Sequence, residues 1–302
     1  MTTPSFIAVD WGTTNFRAYL VDAGGQVLDT SEQARGILSV KDGDFASVLK
    51  ADIAGWVADY KPLPIMMSGM IGSRQGWVEA PYVRCPAGID DIAHKLTVLQ
   101  VDGIGTVHLV PGVDHVGDDQ VPDVMRGEEA QTVGAMEIEG ADETFVHPGT
   151  HSKWVSVSDK VITGFATYMT GEVYAALKGH TILGRLMSDA VSDGSGFRKG
   201  VEVARNNASA GKLLHQLFSV RTLGLFDQLP ASELADYLSG LLIGSEIAAA
   251  ATPDQTVTIF GNGELTTRYG KAADLLGVGW KRGPDNSVVA GQLRIARAAR
   301  LL

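Results

Sequence analysis

A carboxylate, a glycine turn and two hydroxyls lie close together near the start of the chain. The apolar run Phe6–Val9 ends in Asp10. The turn that follows consists of Gly12, Thr13, Thr14 and Asn15. Glycine permits backbone conformations in which successive N–H groups point at one anion, and Thr hydroxyls add further donors. Asp10 can hold a hydrated Mg²⁺ beside phosphate oxygens. The segment therefore predicts a nucleoside triphosphate site, with an ordinary glycine-turn hairpin as the alternative.

A second hairpin with a similar order of residue types spans residues 145–165. Its turn consists of Gly149, Thr150 and His151. An internal repeat of this size, found once in each half of the chain, indicates two related lobes that hold one triphosphate from both sides. His147 occupies the position of Asp10, so the second hairpin lacks the carboxylate on the metal side.

Lys153 is the cation nearest to the second turn. Two interpretations are equally open: it neutralises phosphate charge or binds a sugar carboxylate, or it is a solvated residue at a strand end. His147, at a strand end, favours a structural role. His151, within the turn, leaves a catalytic and a structural role nearly balanced.

The loop Met67–Trp77 contains three glycines, which permit close approach of the backbone to a ligand. Ser73 and the indole N–H of Trp77 are candidate donors, and packing in the core is an equally good interpretation of Trp77. Arg17 follows the first turn and suits bidentate recognition of a carboxylate or a phosphate.

Two adjacent acids follow Arg126 and Gly127 at the start of the predicted helix 130–138. Acids in a first helical turn complement the helix dipole, and that alone would account for Glu128 and Glu129.

The last third of the chain predicts a strand, a glycine turn and a helix. The β-rich run Thr256–Phe260 ends in the turn, and the helix spans Glu264–Leu276. The turn consists of Gly261, Asn262 and Gly263. Such a junction can admit a flat ring or an anion. Upstream, Gly240 and Gly244 predict close helix packing within 234–251.

Three of these segments carry a family resemblance. DWGTTNFR, GTHSKW and FGNGELTTRY resemble the first phosphate, second phosphate and adenosine motifs of the superfamily of sugar kinases, heat-shock protein 70 and actin. Within it, MSGMIGSRQGW, VMRGEEAQTVGA, HPGTHSKW and MTGE resemble the 2-dehydro-3-deoxygalactonokinase family, over roughly residues 6–299. That resemblance implies ATP-dependent phosphorylation of a sugar acid at its terminal hydroxyl, with Mg²⁺.

The resemblance also implies roles for individual residues. Glu128 is the predicted base, with Glu129 in reserve; where related kinases carry Gly-Asp, this chain carries Gly127-Glu128. Asp10 is expected to hold Mg²⁺ through water, and Lys153 joins Glu128 and Asp10 as a catalytic residue. Adenosine binding is expected from Gly261, Asn262, Gly263 and Leu265. Substrate binding is expected from Arg17, Gly69, Gly72, Ser73, Trp77 and Arg126.

The predicted fold is α/β: a two-lobed actin-like ATPase fold, ribonuclease H-like, with a nucleotide cleft between the lobes. The alternation of predicted strands and helices supports this fold. One of these helices is Phe45–Tyr60, which Pro62 ends. The predicted lobes are 1–126 and 127–302, and the last helix is expected to pack back across them. The polar stretch Val113–Pro122 is predicted to be a loop near the boundary.

Composition excludes other classes of protein. The formal net charge is −10, and the charge pattern shows no dominant basic cluster, so nucleic-acid binding is not expected. Such a charge repels anions, so a site for a sugar acid must be locally basic. No window offers the roughly 18 apolar residues of a membrane helix. The single Cys85 forbids an intrachain disulfide and favours the cytoplasm.

Two alternatives stay open from the sequence. One is a kinase of the same fold that acts on another sugar or sugar acid, such as the gluconate epimer. The other is an actin-like, nucleotide-dependent switch or scaffold with no small-molecule acceptor. A homodimer is compatible with either.

Overall fold

The computed structural model describes residues 3–60, 62–136, 142–206, 212–252, 254–261 and 263–302. Its strands are β1 (Pro4–Trp11), β2 (Phe16–Asp22), β3 (Val27–Gln33), β4 (Ile65–Ser68), β5 (Tyr82–Arg84), β6 (Thr97–Val101), β7 (Gly105–Leu109), β8 (Gly112–Val116), β9 (Pro122–Met125), β10 (Asp142–His147), β11 (Ser152–Ser158), β12 (Val161–Tyr168), β13 (Thr256–Ile259) and β14 (Gly279–Arg282). Its α-helices are α1 (Phe45–Asp59), α2 (Ile89–His94), α3 (Glu128–Ala135), α4 (Thr170–His180), α5 (Ser195–Asn206), α6 (Lys212–Leu217), α7 (Ser219–Leu225), α8 (Leu234–Ala250), α9 (Glu264–Leu276) and α10 (Ser287–Ala298).

The chain forms two compact units. The first consists of Met1–Glu143, Val155–Phe165 and Asn286–Leu302, and the second of Thr144–Trp154 and Ala166–Asp285. These units do not coincide with the predicted lobes 1–126 and 127–302. The physical reason is that α3 packs against α10, which keeps both helices in the first unit.

The main sheet of the first unit has the strand order β3-β2-β1-β4-β7-β6. β1 pairs antiparallel with β2 and parallel with β4, so Asp10 lies opposite both Arg17 and Ser68. The apolar run Phe6–Val9 of β1 is buried, and the Trp11 ring packs edge-on against Phe16 at a centroid distance of 4.9 Å. This arrangement fixes the end of β1, where Asp10 lies, within a well-packed sheet.

The predicted loop Val113–Pro122 is wrong over its first half. Gly112–Val116 forms β8, which pairs parallel with β5 and antiparallel with β9 in a three-stranded sheet. The Arg84 guanidinium pairs with the Asp114 carboxylate across that sheet, so a polar residue of β8 is neutralised by a neighbouring strand. Cross-strand pairing thus overrides a composition typical of loops.

The C-terminal helix α10 is anchored in the first unit by close backbone contact and by one amide side chain. A Cβ on Gly291 would lie 1.8 Å from the Ala130 carbonyl oxygen, so only glycine fits against α3. Gln292 accepts from the Val9 N–H (3.2 Å) and donates to both the Val9 carbonyl (2.8 Å) and Ser68 Oγ (2.8 Å). The end of the chain therefore helps hold β1 and β4.

A five-stranded sheet has the order β12-β11-β10-β13-β14, with β10, β13 and β14 parallel. In the second unit, α8 packs against α5 at the predicted close contact. A Cβ on Gly240 would lie 2.1 Å from the Phe197 carbonyl oxygen, and one on Gly244 would lie 3.0 Å from the Ala204 Cβ. Among the described helices, none has the length and apolar character needed to cross a membrane.

Candidate active site

The first glycine turn is closed by its own backbone and held by a neighbouring segment. The Gly12 N–H donates to the Asn15 carbonyl (2.9 Å), and the Gly36 N–H donates to the Thr14 carbonyl (2.8 Å). A Cβ on Gly36 would lie 2.1 Å from the Thr13 carbonyl oxygen. Thr13, Thr14 and Asn15 are exposed to solvent. Gly36 therefore supports the turn from outside it, and no local pattern in the sequence marks this role.

Asp10 lies one residue before the end of β1, in a partly buried position. Burial raises the pKa of its carboxyl, and the nearby Arg17 guanidinium opposes that rise. Arg17 already has an acceptor, because its Nε donates to Glu32 Oε1 at 2.8 Å. The predicted substrate role of Arg17 would therefore require a shared or exchanged partner.

Two glycines, Gly69 and Gly127, allow the end of β4 and the start of α3 to lie in contact. Gly69 has φ +98° and Gly127 has φ +111°, and both values favour glycine. A Cβ on Gly69 would lie 2.8 Å from the Trp11 carbonyl oxygen and 3.3 Å from Asp10 Oδ1. The structure therefore places the end of β1, the predicted substrate loop and the start of α3 side by side.

The two adjacent acids at the start of α3 have different environments. The Arg126 backbone N–H donates to Glu128 Oε2 (3.1 Å), and the Gly127 N–H donates to Glu129 Oε2 (2.6 Å). Glu129 is fully buried, whereas Glu128 is partly exposed. Burial, and then the neighbouring Glu128 charge, raise the pKa of Glu129 to about 8. Glu129 is therefore mostly protonated at neutral pH, and Glu128 is the acid that solvent reaches.

A buried cation lies beside the predicted substrate loop, and a packed indole lies within it. Arg126 is 8% exposed, its guanidinium lies 4.5 Å from the Tyr82 ring centroid, and its Nη2 donates to the Ala80 carbonyl (2.7 Å). Trp77 stacks on Phe45 at a centroid distance of 6.3 Å and packs against the core of the first unit. The contacts of Trp77 are those of a packing residue.

In the second unit, the second glycine turn lies against the start of α4. The Glu172 N–H donates to the Thr150 carbonyl (3.0 Å), and a Cβ on Gly171 would lie 2.3 Å from the Gly149 carbonyl oxygen. His151 Nε2 and Glu172 Oε2 are 2.5 Å apart, and both side chains are about half exposed. The turn therefore presents its backbone beside the N-terminus of a helix, as an anion site requires.

His147 and Lys153 are both buried in the second unit. The His147 ring stacks on Phe260 at a centroid distance of 4.4 Å. Burial, and then the charge of Lys153, lower the pKa of His147 to about 3, so its imidazole is neutral and structural. Lys153 Nζ donates to Thr167 Oγ1 at 2.7 Å, and the side chain is 7% exposed. The interpretation of Lys153 as a solvated residue is wrong.

A cavity of about 480 Å³ joins the second turn to the predicted adenosine motif. Its lining comprises Gly149, Thr150, Thr170, Gly171, Tyr174, Ser239, Leu242, Ile243, Glu264, Leu265, Arg268 and Tyr269. Gly261 and Gly263 have φ of +100° and +82°, and Thr266 Oγ1 donates to the Phe260 carbonyl (3.2 Å), which shapes the turn before α9. Asn262 lies outside the described residues. The structure thus brings Gly149, Thr150 and Leu265 to one cavity.

Sequence reasoning missed a buried acid next to this cavity. Glu246 is 3% exposed; its Oε1 accepts from the Trp154 indole (2.8 Å) and its Oε2 accepts from the Tyr269 hydroxyl (2.6 Å). Ser152 Oγ lies 3.0 Å from the Tyr269 hydroxyl oxygen. Burial raises the pKa of Glu246, and the hydrogen bonds from its neighbours oppose the rise. Only an acid within an apolar helical run could have drawn attention to Glu246.

The described residues contain no group of three or more His, Cys, Asp or Glu side chains placed to hold a metal ion. A fully protein-built metal centre is therefore not found in that part of the chain. A single carboxylate such as Asp10 is compatible with Mg²⁺, which commonly keeps several waters and is bound through one or two carboxylates together with substrate phosphates.

The architecture first defines a fold class, the α/β actin-like fold. The chain aligns with component A of the (R)-2-hydroxyglutaryl-CoA dehydratase of Acidaminococcus fermentans with a TM-score of 0.51 at 13% identity, over 98% of this chain and 100% of that one. This likeness concerns the fold alone.

Closer relatives give the family. A model of the 2-keto-3-deoxy-galactonokinase family matches residues 10–295. The chain is 38% identical, over 99% of both sequences, to a Rhizobium meliloti (strain 1021) protein named probable 2-dehydro-3-deoxygalactonokinase. It is 34% identical to the Escherichia coli (strain K12) 2-dehydro-3-deoxygalactonokinase, over 96% of this chain and 94% of that protein. A crystal structure of a Sinorhizobium meliloti protein, provisionally assigned as a 2-dehydro-3-deoxygalactonokinase, aligns with a TM-score of 0.87 at 34% identity. The alignment covers 97% of this chain and 98% of that one. The chain belongs to the 2-keto-3-deoxy-galactonokinase family.

Proposed function

We propose that this protein transfers the γ-phosphoryl group of ATP to the terminal C6 hydroxyl of 2-dehydro-3-deoxy-D-galactonate, in D-galactonate catabolism. Membership of the family over residues 10–295 and relatives of that name support the reaction. The observation that carries it in the structure is the contact of Gly127 with Gly69, beside Asp10. This contact brings Asp10 and Glu128 to the same edge of the first unit. The Asp10 carboxylate is suited to a hydrated metal ion, and the Glu128 carboxylate is suited to proton transfer.

The reaction is a displacement at phosphorus. The C6 hydroxyl oxygen forms a bond to the γ-phosphorus, the bond to the β,γ-bridging oxygen breaks, and ADP leaves. The hydroxyl proton passes to the carboxylate of Glu128, which is partly exposed and oriented by the Arg126 N–H at 3.1 Å. General-base catalysis of this kind contributes roughly 10²- to 10⁴-fold to the rate.

Positioning and charge neutralisation supply most of the remaining catalysis in phosphoryl transfer. In the first unit, the backbone of Gly12 and the side chains of Thr13, Thr14 and Asn15 would contact phosphate oxygens. In the second unit, Gly149, Thr150 and His151 would contact phosphate oxygens at the start of α4. The nucleoside would occupy the cavity lined by Leu265. The turn formed by Gly261, Asn262 and Gly263 would also contribute to adenosine binding. Lys153, near the second turn, would neutralise phosphate charge with its ammonium group.

The residues around Asp10 fit Mg²⁺. Asp10 supplies a hard oxygen ligand, and Gly69 leaves Asp10 Oδ1 uncovered by a side chain, since a Cβ there would lie 3.3 Å from that oxygen. When bound, the ion would neutralise charge on the β- and γ-phosphates. We place the protein in the cytoplasm, which its single cysteine supports.

The test is ADP release by the purified protein with ATP and Mg²⁺ over a small panel of acceptors. The panel comprises 2-dehydro-3-deoxygalactonate, its gluconate epimer, neutral hexoses and glycerol. The expected result is ADP release that is selective for the galactonate derivative, with turnover lowered by at least about 10²-fold in Glu128→Gln. Selectivity for another acceptor would point to a different kinase of this fold. A slow rate that no acceptor changes would point to a nucleotide-dependent switch.

A further inference from the structure

Buried polar atoms without partners concentrate in two motif segments of the first unit. Across the described residues, six buried side-chain nitrogen or oxygen atoms lack a hydrogen-bond partner, and four of them belong to the loop after β4 and the start of α3. These four are Ser73 Oγ, Arg126 Nε, Arg126 Nη1 and Glu129 Oε1. Buried polar groups are normally paired, so such a concentration points to a polar ligand.

The Arg126 guanidinium keeps a complete pair of donors available. Arginine has five N–H donors in a fixed planar geometry, and Nη2 shares one edge with Nε and the other with Nη1. Nη2 donates to the Ala80 carbonyl at 2.7 Å, which engages one of its two hydrogens. Whichever hydrogen is engaged, the opposite edge retains two parallel N–H groups. Two parallel donors match the two oxygens of a carboxylate.

The other candidate cations of the first unit are already paired. Arg17 Nε lies 2.8 Å from Glu32 Oε1, and Arg74 Nε lies 3.4 Å from Glu79 Oε2. Arg84 pairs with Asp114. Arg126 therefore differs from these three arginines: it is the buried one, and a carbonyl rather than a carboxylate is its acceptor.

We infer that Arg126 binds the carboxylate of the sugar-acid substrate through this free guanidinium edge, and so selects acids over neutral sugars. The inference rests on the proposed function and names the cation of that site. Gly72 lies against the guanidinium, since a Cβ there would be 3.0 Å from Nη1, and Ser73 adds an unpaired hydroxyl from the next position. The neighbouring Glu129 does not oppose an anion at neutral pH, because burial keeps its carboxyl largely protonated.

The test compares the acid with a neutral analogue in which the carboxylate is reduced to a primary alcohol. In Arg126→Gln, kcat/KM for the acid should fall about 10²-fold or more, while kcat/KM for the neutral analogue stays near its wild-type value. Arg126→Lys should recover little, because lysine keeps the charge but not the paired donors. Arg74→Gln, which changes an exposed arginine of the neighbouring predicted substrate loop, is the matched control and should leave both values unchanged.

Gly72→Ala tests the same edge while keeping Arg126. The added methyl would press on Nη1, and the loss should again be confined to the acid. Equal losses for the acid and the neutral analogue, with a lower melting temperature, would make Arg126 a structural cation and overturn the inference. Unchanged selectivity in Arg126→Gln would overturn it as well.

Binding separates this inference from the proposed reaction. If the wild-type protein phosphorylates neither compound, the proposed function fails, and calorimetry with the acid and the neutral analogue still decides the role of Arg126. Tighter binding of the acid to the wild type, lost in Arg126→Gln, supports the inference. Equal binding of both compounds to the wild type contradicts it.

Discussion

Gly127 lies so close to Gly69 that a Cβ on Gly127 would be 3.2 Å from the Gly69 Cα. This contact brings the start of α3, with its two acids, to the end of β4. It also explains why glycine occupies both positions: each has a positive φ, and each faces backbone. The relative positions of Asp10 and Glu128 in the first unit depend on this contact.

Gly127→Ala should reduce turnover strongly and destabilise the protein by about 1–3 kcal/mol, through strain at a positive φ and displacement of α3. Turnover and melting temperature measure the two effects. Gly43→Ala is the matched control, since Gly43 has φ +69° with nothing within 4 Å of its Cβ position. It should show the backbone strain alone. Equal effects of the two substitutions on turnover would argue against the contact as a determinant of the site.

Glu128→Gln should lower turnover by at least about 10²-fold and leave ATP binding nearly intact, because it removes the proton acceptor and keeps the shape. Steady-state rates and a titration with nucleotide measure these separately. Glu129→Gln should have the smaller effect, since the amide resembles the protonated acid that the fold already holds. The reverse order of effects would move the base to Glu129.

The sequence predicts elements that depend on local patterns better than elements that depend on contacts between distant residues. The helix Glu264–Leu276 and the strand beginning at Thr256 are confirmed, since local glycines and periodic apolar residues define both. β8 could not be predicted, because its stability comes from pairing with β5 and β9, which are distant in sequence. The predicted division at residue 126 placed α3 in the second lobe, because the close backbone contact that holds α3 against α10 has no local signature in the sequence.

The candidate site shows the same distinction. Glycine turns and adjacent acids are local patterns, and the sequence identifies their positions directly. The difference between Glu128 and Glu129 arises from burial in the folded unit, and the unpaired edge of Arg126 arises from the position of Ala80. Neither property has a local signature.

The raised pKa of Glu129 predicts a pH dependence of stability. A carboxyl whose pKa is about 8 in the folded state, against an ordinary value of 4.5, binds its proton more tightly when folded. Its contribution to the free energy of unfolding is therefore fully present below about pH 4.5 and is lost as the pH rises to about 8. The melting-temperature difference between the wild type and Glu129→Gln, measured from pH 5 to about 9, should shift against the wild type as pH rises. A constant difference would show that Glu129 does not titrate in this range.

Asp10→Asn should weaken the dependence of catalysis on Mg²⁺, because an amide oxygen is a poorer ligand for the ion than a carboxylate. Rates measured over a range of Mg²⁺ concentrations should show a higher requirement and a lower maximum. Burial raises the pKa of Asp10, so removing its charge should not destabilise the fold. An unchanged Mg²⁺ requirement would separate Asp10 from the metal.

Glu246 should support nucleotide binding through the elements that it connects. Its carboxylate accepts from Trp154, on the strand after the second turn, and from Tyr269, which lines the cavity. Glu246→Gln places an amide N–H₂ against at least one of these donors, and an unpaired buried group costs about 1–3 kcal/mol. We expect a lower melting temperature and weaker ATP binding, measured by thermal unfolding and by calorimetry, with no change in selectivity among acceptors. Tyr269→Phe removes one of the two hydrogen bonds and should cause a smaller loss of the same kind. Unchanged ATP affinity in both variants, despite lower stability, would confine Glu246 to the core of the second unit.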